Sequence, residues 1–416
     1  MEAFTYQSGV LYAESVNLQT VAEQYGTPCY VYSQHLIEEN WRAFDAALGE
    51  QPHLICYAVK ANSNLSILKL LAQLGSGFDL VSGGELERVL IAGANPQKIV
   101  FSGVGKSHAE IQRALEIGIG CFNIESIDEL YRIQMIAQHL NKQAPISIRV
   151  NPDVDAQTHP YISTGLKENK FGIEINKALS LYQMANKMPH ISIEGVDCHI
   201  GSQLTTLSPF SDALDRVLNL IEQLEENAIK INHLDIGGGL GVRYHEETPP
   251  TISEYVHAIK TKLAGKSYKL LLEPGRAIVA NAGVLLTKVE YLKEGANHKH
   301  FAIVDAAMND LIRPALYSAW QSIIPVKQTD LSIKTYDIVG PICETGDFLG
   351  KNRELAIKES DLLAICSAGA YGFAMSSNYN SRPRVAEVLI KGEEHRLIRR
   401  RETFEDLIAA EMPFLK

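Results

Sequence analysis

From about residue 53 onward, short apolar runs alternate with amphipathic stretches, and this alternation constrains the chain more than any other feature. The runs are HLICYAVK (53–60), FDLVS (78–82), KIVFSGV (98–104), CFNIES (121–126), ISIRVNP (146–152), IEGVDCHI (193–200), INHLDIG (231–237) and YKLLLEP (268–274). Between them lie segments such as 64–74, 84–92, 108–117, 127–140, 208–228 and 251–264, whose apolar residues recur at helical spacing. Strands that are apolar throughout are buried on both faces. Eight of them separated by helices predict a closed (β/α)8 barrel. An open doubly wound sheet is the competing topology, disfavoured by the count and by where the polar residues fall. Lys60, Asp79, Ser102, Glu125, Arg149, His199, the glycines at 237–239 and Glu273 all lie at the C-terminal ends of their runs. That end of a barrel is its active face. No helical stretch clearly follows the eighth run, and the segment 35–48 ahead of the first is available to cover the barrel instead.

After about residue 283 the pattern changes. VLLTKVEYL (284–292), HFAIVDAA (300–307), YDIVGPIC (336–343), LLAICSAG (362–369) and RVAEVLIKG (384–392) read as antiparallel strands joined by turns. The expected division is a barrel over 34–283 and a β-rich domain over 284–416. Residues 1–33 join the second domain, with PCYVYS (28–33) as a returning strand. A chain of 416 residues suits two domains.

Charge excludes some functions. Thirty-nine basic and 49 acidic side chains leave a net charge of −10 with no Lys/Arg-rich block, which argues against nucleic acid as a partner. MEAFTYQSGV lacks a basic segment followed by an apolar run, and no apolar stretch approaches the roughly 18 to 20 residues that span a bilayer. The six cysteines are scattered without a C-x-x-C pair, so neither a metal site nor a disulfide scaffold is expected. A reduced, cytoplasmic protein is the expectation.

Four motifs carry chemistry. In YAVKAN (57–62), Lys60 follows an apolar strand, where it either reaches solvent along its stem or is a desolvated amine, nucleophilic towards carbonyls. In LDIGGGLGV (234–242), consecutive glycines at a strand end either make a tight turn or let backbone N–H groups approach a phosphate. EPGR (273–276) adds Gly275 and Arg276 after the eighth run, and phosphate sites in barrels often occupy the loops after the seventh and eighth strands. Glu273 is placed either to form an ordinary salt bridge or to keep a pyridine nitrogen protonated. In CHIGSQ (198–203), His199 offers a flat face beside Gly201 and the Ser202 hydroxyl.

Lys60, His199, the triple glycine and Glu273–Arg276, in that chain order at strand ends, resemble the fold-type III pyridoxal-phosphate family, which includes alanine racemase and basic amino-acid decarboxylases. The resemblance extends over nearly the whole chain. IRPALY (312–317), GPICETGD (340–347) and GAYGFAMSSNYN (369–380) are similar to motifs of the branch that acts on meso-2,6-diaminopimelate. It implies a carboxy-lyase that uses pyridoxal 5'-phosphate to form L-lysine and CO2, the last step of lysine biosynthesis. Lys60 would be the Schiff-base lysine, His199 would stack on the ring, and Glu273 would meet its nitrogen. Asp79, Ser202, Gly238, Gly239, Gly275, Arg276 and Tyr371 would bind the cofactor, most of them at or near its phosphate. Cys343 would return the proton, delivered from the second subunit of a homodimer. Arg276, Arg313, Tyr317, Glu344 and Tyr371 would bind substrate, with the arginines and Tyr317 on the distal carboxylate and Glu344 on the distal ammonium.

These implied roles are chemically coherent. A thiol is mostly protonated at neutral pH and can supply a proton. A guanidinium matches a carboxylate with two hydrogen bonds, and diamine-forming substrates have no distal carboxylate to offer. HPYISTGLKENKFGI (159–173) resembles the family's loop beside the active site, and its polar tip suits a lid. FSGVGK (101–106) departs from the His-Gly-Asn-Asn-Lys form of many members, so Ser102 and Lys106 are given no catalytic role. Decarboxylation of ornithine, arginine or carboxynorspermidine is the nearest rival. An amino-acid racemase and a catalytically dead homologue are the others.

Overall fold

The computed structural model describes residues 3–155, 169–266 and 268–415. The chain forms two compact units, one of residues 41–242 and 248–277, the other of 1–40, 243–247 and 278–416.

In the first unit, eight parallel strands close on themselves. They are β1 (His53–Ala58), β2 (Gly77–Leu80), β3 (Ile99–Phe101), β4 (Cys121–Ile124), β5 (Ala144–Asn151), β6 (Ile191–Asp197), β7 (His233–Asp235) and β8 (Lys269–Leu272). Strand β8 pairs with β1, which completes the ring expected from the eight apolar runs. Strands β2, β3 and β4 are buried at every position, which is why their sequences do not alternate. The strands stop short of the runs that announced them: β1 ends at Ala58, and Lys60 sits in the single turn Val59–Ala61. The polar residues at the run ends therefore mostly occupy the loops of the C-terminal face.

The α-helices between these strands are α1 (Leu65–Gln73), α2 (Gly83–Ile91), α3 (His108–Ile117), α4 (Ile127–His139), α5 (Ile175–Ala185), α6 (Ser208–Glu226) and α7 (Ile252–Lys262). Five of these seven helices start where a side chain caps them, those at Ile175 and Ser208 being the exceptions. Ser82, Ser107, Ser126 and Thr251 each accept a hydrogen bond from the backbone N–H of a glutamate three residues on. Each such cap stabilises its helix by about 1 kcal/mol. Helix α5 was not anticipated. Only a short turn, Arg276–Val279, follows β8. Helix Gln34–Leu48 supplies the missing cover: Lys260 of α7 donates to the carbonyls of Ala47 and Leu48, at 3.2 and 2.9 Å.

In the second unit, the long strand Gly283–Glu294 pairs antiparallel with His300–Val304, Leu362–Ile365 and Cys29–Ser33. The early strand Cys29–Ser33 lies between Gly283–Glu294 and Ala386–Lys391, so PCYVYS does return to this sheet. Its pairing with Ala386–Lys391 is parallel, as is that of His300–Val304 with Lys334–Val339, whereas antiparallel strands were expected. Neither pair is joined by a hairpin, and long connections leave strand direction free. Leu11, Val31, Val284, Leu286 and Val388 share the core of this unit.

Candidate active site

Lys60 and Asp79 meet at the barrel mouth. Lys60 Nζ donates to Asp79 Oδ2 at 2.7 Å; the lysine side chain is 37% exposed and the aspartate fully buried. The expected amine is therefore paired and reachable from solvent rather than fully desolvated. Asp79 enters from the middle of β2, so the strand itself fixes the distance.

Glu273 belongs to a buried acidic cluster. Oxygens of Asp197, Asp235 and Glu273 all lie within 4.8 Å of one another, at the ends of β6, β7 and β8. Burial, followed by the charges of Asp235 and Asp79, raises Glu273 well above the usual carboxylate range, while Lys60 pulls it back. Burial also pushes Asp235 up to about 6, against the Gly237 N–H that donates to its Oδ1 at 2.9 Å. Asp197 is likewise raised by burial and by Asp235, with Arg149 opposing at 3.9 Å. Carboxylates this close repel one another's charge, which adds to burial in raising all three. Asp79 Oδ1, Asp197 Oδ1 and Asp235 Oδ2 are buried with no hydrogen-bond partner among the described residues. The surplus of acceptors suits a cationic N–H group.

The loops after β6 and β7 form a cradle. Leu204 N–H donates to Gly239 O and Gly241 N–H to Leu204 O, both at 2.9 Å, while the Gln203 side chain bonds both the N–H and the C=O of Val242. A Cβ on Gly237 would lie 2.6 Å from His199 Nδ1, and one on Gly238 would lie 2.3 Å from Glu273 O. His199 Nδ1 accepts the Gly238 N–H at 3.2 Å, which leaves the ring proton on Nε2. The protein packed around its ring, then the Arg149 and Lys60 charges, hold His199 well below the usual imidazole range. It is a neutral flat surface. Arg276 is buried and donates to Ser202 Oγ from Nε and Nη2, at 3.2 and 2.9 Å. Gly275 packs against Ala58 and Ala61, where a side chain would collide.

The second unit carries the other expected residues. Arg313 opens the helix Arg313–Tyr317; it is 6% exposed, with its guanidinium 4.9 Å from the Tyr244 ring centre and 6.0 Å from that of Tyr317. Cys343 and Glu344 are exposed on one loop, fastened by Asp347, whose oxygens accept the N–H groups of Met308 and Ile342 at 2.7 Å. Cys343 N–H donates to Asn380 Oδ1 at 2.9 Å, and Glu344 accepts the Tyr379 hydroxyl. Tyr371 has φ +54, a left-handed conformation that is rare for a bulky residue and often met at functional sites.

Other residues have structural duties. Lys106 Nζ donates to Gly103 O, Asn123 O and Glu129 Oε1 at 2.7–2.8 Å, which uses all three of its hydrogens. Ser102 Oγ accepts from Asn123 Nδ2 at 3.2 Å. Arg149 and Glu125, noted only as run-end residues, pair at 3.0 Å. Of the lid expected at 159–173, residues 159–168 lie outside the described residues. Its C-terminal base is fixed to β5, since Ile173 and Glu174 pair with Val150 and Asn151. Sequence reasoning gave no role to Asp197, Asp235 or Tyr244. Two aspartates at the ends of otherwise apolar runs were the available signal for the first pair.

The mouth residues fit pyridoxal phosphate. The glycine loop packs its backbone too closely on His199, Glu273 and Gly201 for side chains to fit, Arg276 and Ser202 supply the donor types that a phosphate takes, and the orphaned carboxylate oxygens suit a ring N–H. Residues 34–280 match the family model described as "Pyridoxal-dependent decarboxylase, pyridoxal binding domain". The chain is 60% identical over 411 residues to diaminopimelate decarboxylase of Pseudomonas aeruginosa, covering 99% of each, and 60% identical over 413 residues to that of Vibrio cholerae, again covering 99% of each. It is similar to the crystal structure of diaminopimelate decarboxylase from Helicobacter pylori complexed with L-lysine. That match has a TM-score of 0.93 and 44% identity, and covers 96% of this chain and 100% of the other. The M. jannaschii enzyme in co-complex with L-lysine matches with a TM-score of 0.95 and 39% identity, covering 100% and 99%.

Proposed function

The chain belongs to the pyridoxal-dependent decarboxylases and, within them, to the diaminopimelate decarboxylases, and we propose on that premise that its barrel mouth holds the cofactor while residues of its second unit choose the substrate. The reaction is the decarboxylation of meso-2,6-diaminopimelate to L-lysine and CO2, the last step of lysine biosynthesis. Pyridoxal phosphate supplies an aldehyde that takes up the substrate amine and a ring that accepts the electron pair left by departing CO2.

Lys60 would anchor the cofactor through its Nζ, and Asp79, which accepts that amine at 2.7 Å, would hold it whenever it is not bonded to the cofactor. Glu273 would meet the ring nitrogen, backed by Asp235 and Asp197, whose oxygens lie within 4.8 Å of its own. His199, kept neutral, would offer its flat face to the ring without competing for its charge. The glycines at 237–239, Gly275, Ser202, Arg276 and Tyr371 bind the phosphate or border it. Arg276, Arg313 and Tyr317 take the distal carboxylate, with Tyr371 beside the substrate and Glu344 on the distal ammonium. Cys343 Sγ gives the α-carbon its proton after CO2 leaves.

Arg313 carries the substrate reading. A buried guanidinium at 6% exposure has lost most of its water and gains from a carboxylate presented to its edge. Purified holoenzyme should release CO2 from meso-diaminopimelate and far more slowly, if at all, from ornithine or arginine. Arg313→Ala should lower kcat/KM for diaminopimelate by about 30-fold or more, the scale of a lost charge-assisted pair. No CO2 from diaminopimelate, or an Arg313→Ala variant with unchanged kinetics, would overturn this assignment.

We also place the protein in the cytoplasm as a homodimer whose active sites draw Cys343 and Glu344 from the partner. All six cysteines are free thiols, in keeping with a reducing compartment. Among the described residues no helix is long and apolar enough to cross a membrane. Light scattering that returned one chain's mass at working concentration would count against the dimer.

A further inference from the structure

We propose that Tyr244 is a positioning residue for substrate specificity, holding the Arg313 guanidinium by its face so that the edge is presented to the distal carboxylate. The inference rests on the role given to Arg313 above and adds a residue to which no function has been assigned.

The local geometry supports it. Tyr244 is 8% exposed, with its ring centre 4.9 Å from Arg313 Cζ, closer than Tyr317 at 6.0 Å. An aromatic ring over a guanidinium is attracted to its face, whereas the N–H groups make their hydrogen bonds in its plane. Those N–H groups form the fork that a carboxylate accepts. A long arginine side chain otherwise samples many rotamers, so a ring that restricts it lowers the entropy lost when substrate binds.

Tyr244 is itself held. Glu247 accepts the backbone N–H groups of Tyr244 and His245, both at 2.9 Å, and Arg243 Nε donates to His245 O at 2.9 Å. The next ring along, His245, stacks on Trp320 with centres 3.9 Å apart and planes 15° apart. Arg353 approaches the same indole, 4.1 Å from its centre. Trp320 follows Arg313–Tyr317 by three residues, so the two aromatic contacts fasten the 243–247 segment at two nearby points of one stretch of chain. The segment is also the direct continuation of GGGLGV (237–242), the glycine loop.

The test uses loaded enzyme with Tyr244→Leu, Tyr244→Phe, Arg313→Ala and the Tyr244→Leu/Arg313→Ala double variant. Tyr244→Leu should raise KM for meso-diaminopimelate by roughly 3- to 30-fold, the range of one partly desolvated cation–π contact, with a smaller change in kcat and the cofactor's visible absorption retained. Tyr244→Phe keeps the ring and should stay close to the parent. The double variant should be no worse than Arg313→Ala alone, because a residue acting through another adds nothing once that residue is gone. If Arg313→Ala raises KM but Tyr244→Leu does not, the positioning role is wrong and the substrate assignment stands. If Arg313→Ala itself leaves KM unchanged, the substrate assignment has failed. A Tyr244→Phe variant as impaired as Tyr244→Leu, or losses that add in the double variant, would also overturn the proposal.

Discussion

Replacing Gly237 with alanine tests whether the cradle and the histidine beside it are one device. Gly237 has φ +67, where an L-residue costs about 1–2 kcal/mol. The added Cβ would lie 2.6 Å from His199 Nδ1 and 2.9 Å from its Cβ, so the imidazole must move. Moving it breaks the 3.2 Å bond from Gly238 N–H, worth about 1 kcal/mol in a closed site. The stiffer unfolded chain returns about 0.4–1 kcal/mol, so the net loss is about 1–3 kcal/mol. Gly265→Ala is the matched control, with φ +80 and no atom within 4 Å of the new Cβ, so only backbone strain remains. Urea unfolding of the cofactor-free proteins should separate the two variants by about 1 kcal/mol. Spectrophotometric titration with pyridoxal phosphate should show at least about a tenfold weaker Kd for Gly237→Ala and no change for Gly265→Ala. Two variants alike in both measurements would refute the coupling of glycine loop and histidine.

Asp235 gives a pH test with a definite sign. Its carboxyl rises on folding from 3.8 to about 6, so the folded state favours the protonated form. That contribution is complete below about pH 4 and is lost as pH climbs through 6. Asp235→Asn should therefore stabilise the cofactor-free protein by about 1–3 kcal/mol at pH 8, with the gain fading towards pH 4. Denaturation at both pH values decides, and a variant less stable at pH 8 contradicts the reasoning. Lys106→Met should cost about 3–5 kcal/mol by stranding buried Glu129, yet the folded protein should still take up pyridoxal phosphate and show its visible absorption. Lost cofactor binding at unchanged stability would move Lys106 into the site.

The barrel was legible because strands buried on both faces cannot hide their composition. Lys60, His199, Glu273 and Arg276 were legible because the strand ends of a closed barrel converge wherever they lie in the chain. The acidic cluster was not, since Asp197 and Asp235 are 38 residues apart and become neighbours only when β6 pairs with β7. Tyr244 was hidden for a related reason: five residues of the β7 loop cluster with the second unit. The parallel pairings escaped because strand alternation records which face is buried and says nothing about a partner's direction. Lys106, with a charge as conspicuous in sequence as that of Lys60, turned out to be fully occupied in holding β3 and β4 loops together.

The position of Cys29–Ser33 has a consequence for biogenesis. The ribosome makes this segment before either of its neighbours, and its parallel partner Ala386–Lys391 is among the last strands to emerge. The intervening barrel can close while the early strand still waits with both edges bare, an arrangement that invites pairing with other chains. Order of synthesis and order of assembly thus run opposite to each other in this unit. A circular permutant that places 1–33 after residue 416, which leaves the helix Gln34–Leu48 whole, would bring them into line, and its yield of soluble protein would measure how much the delay costs the cell.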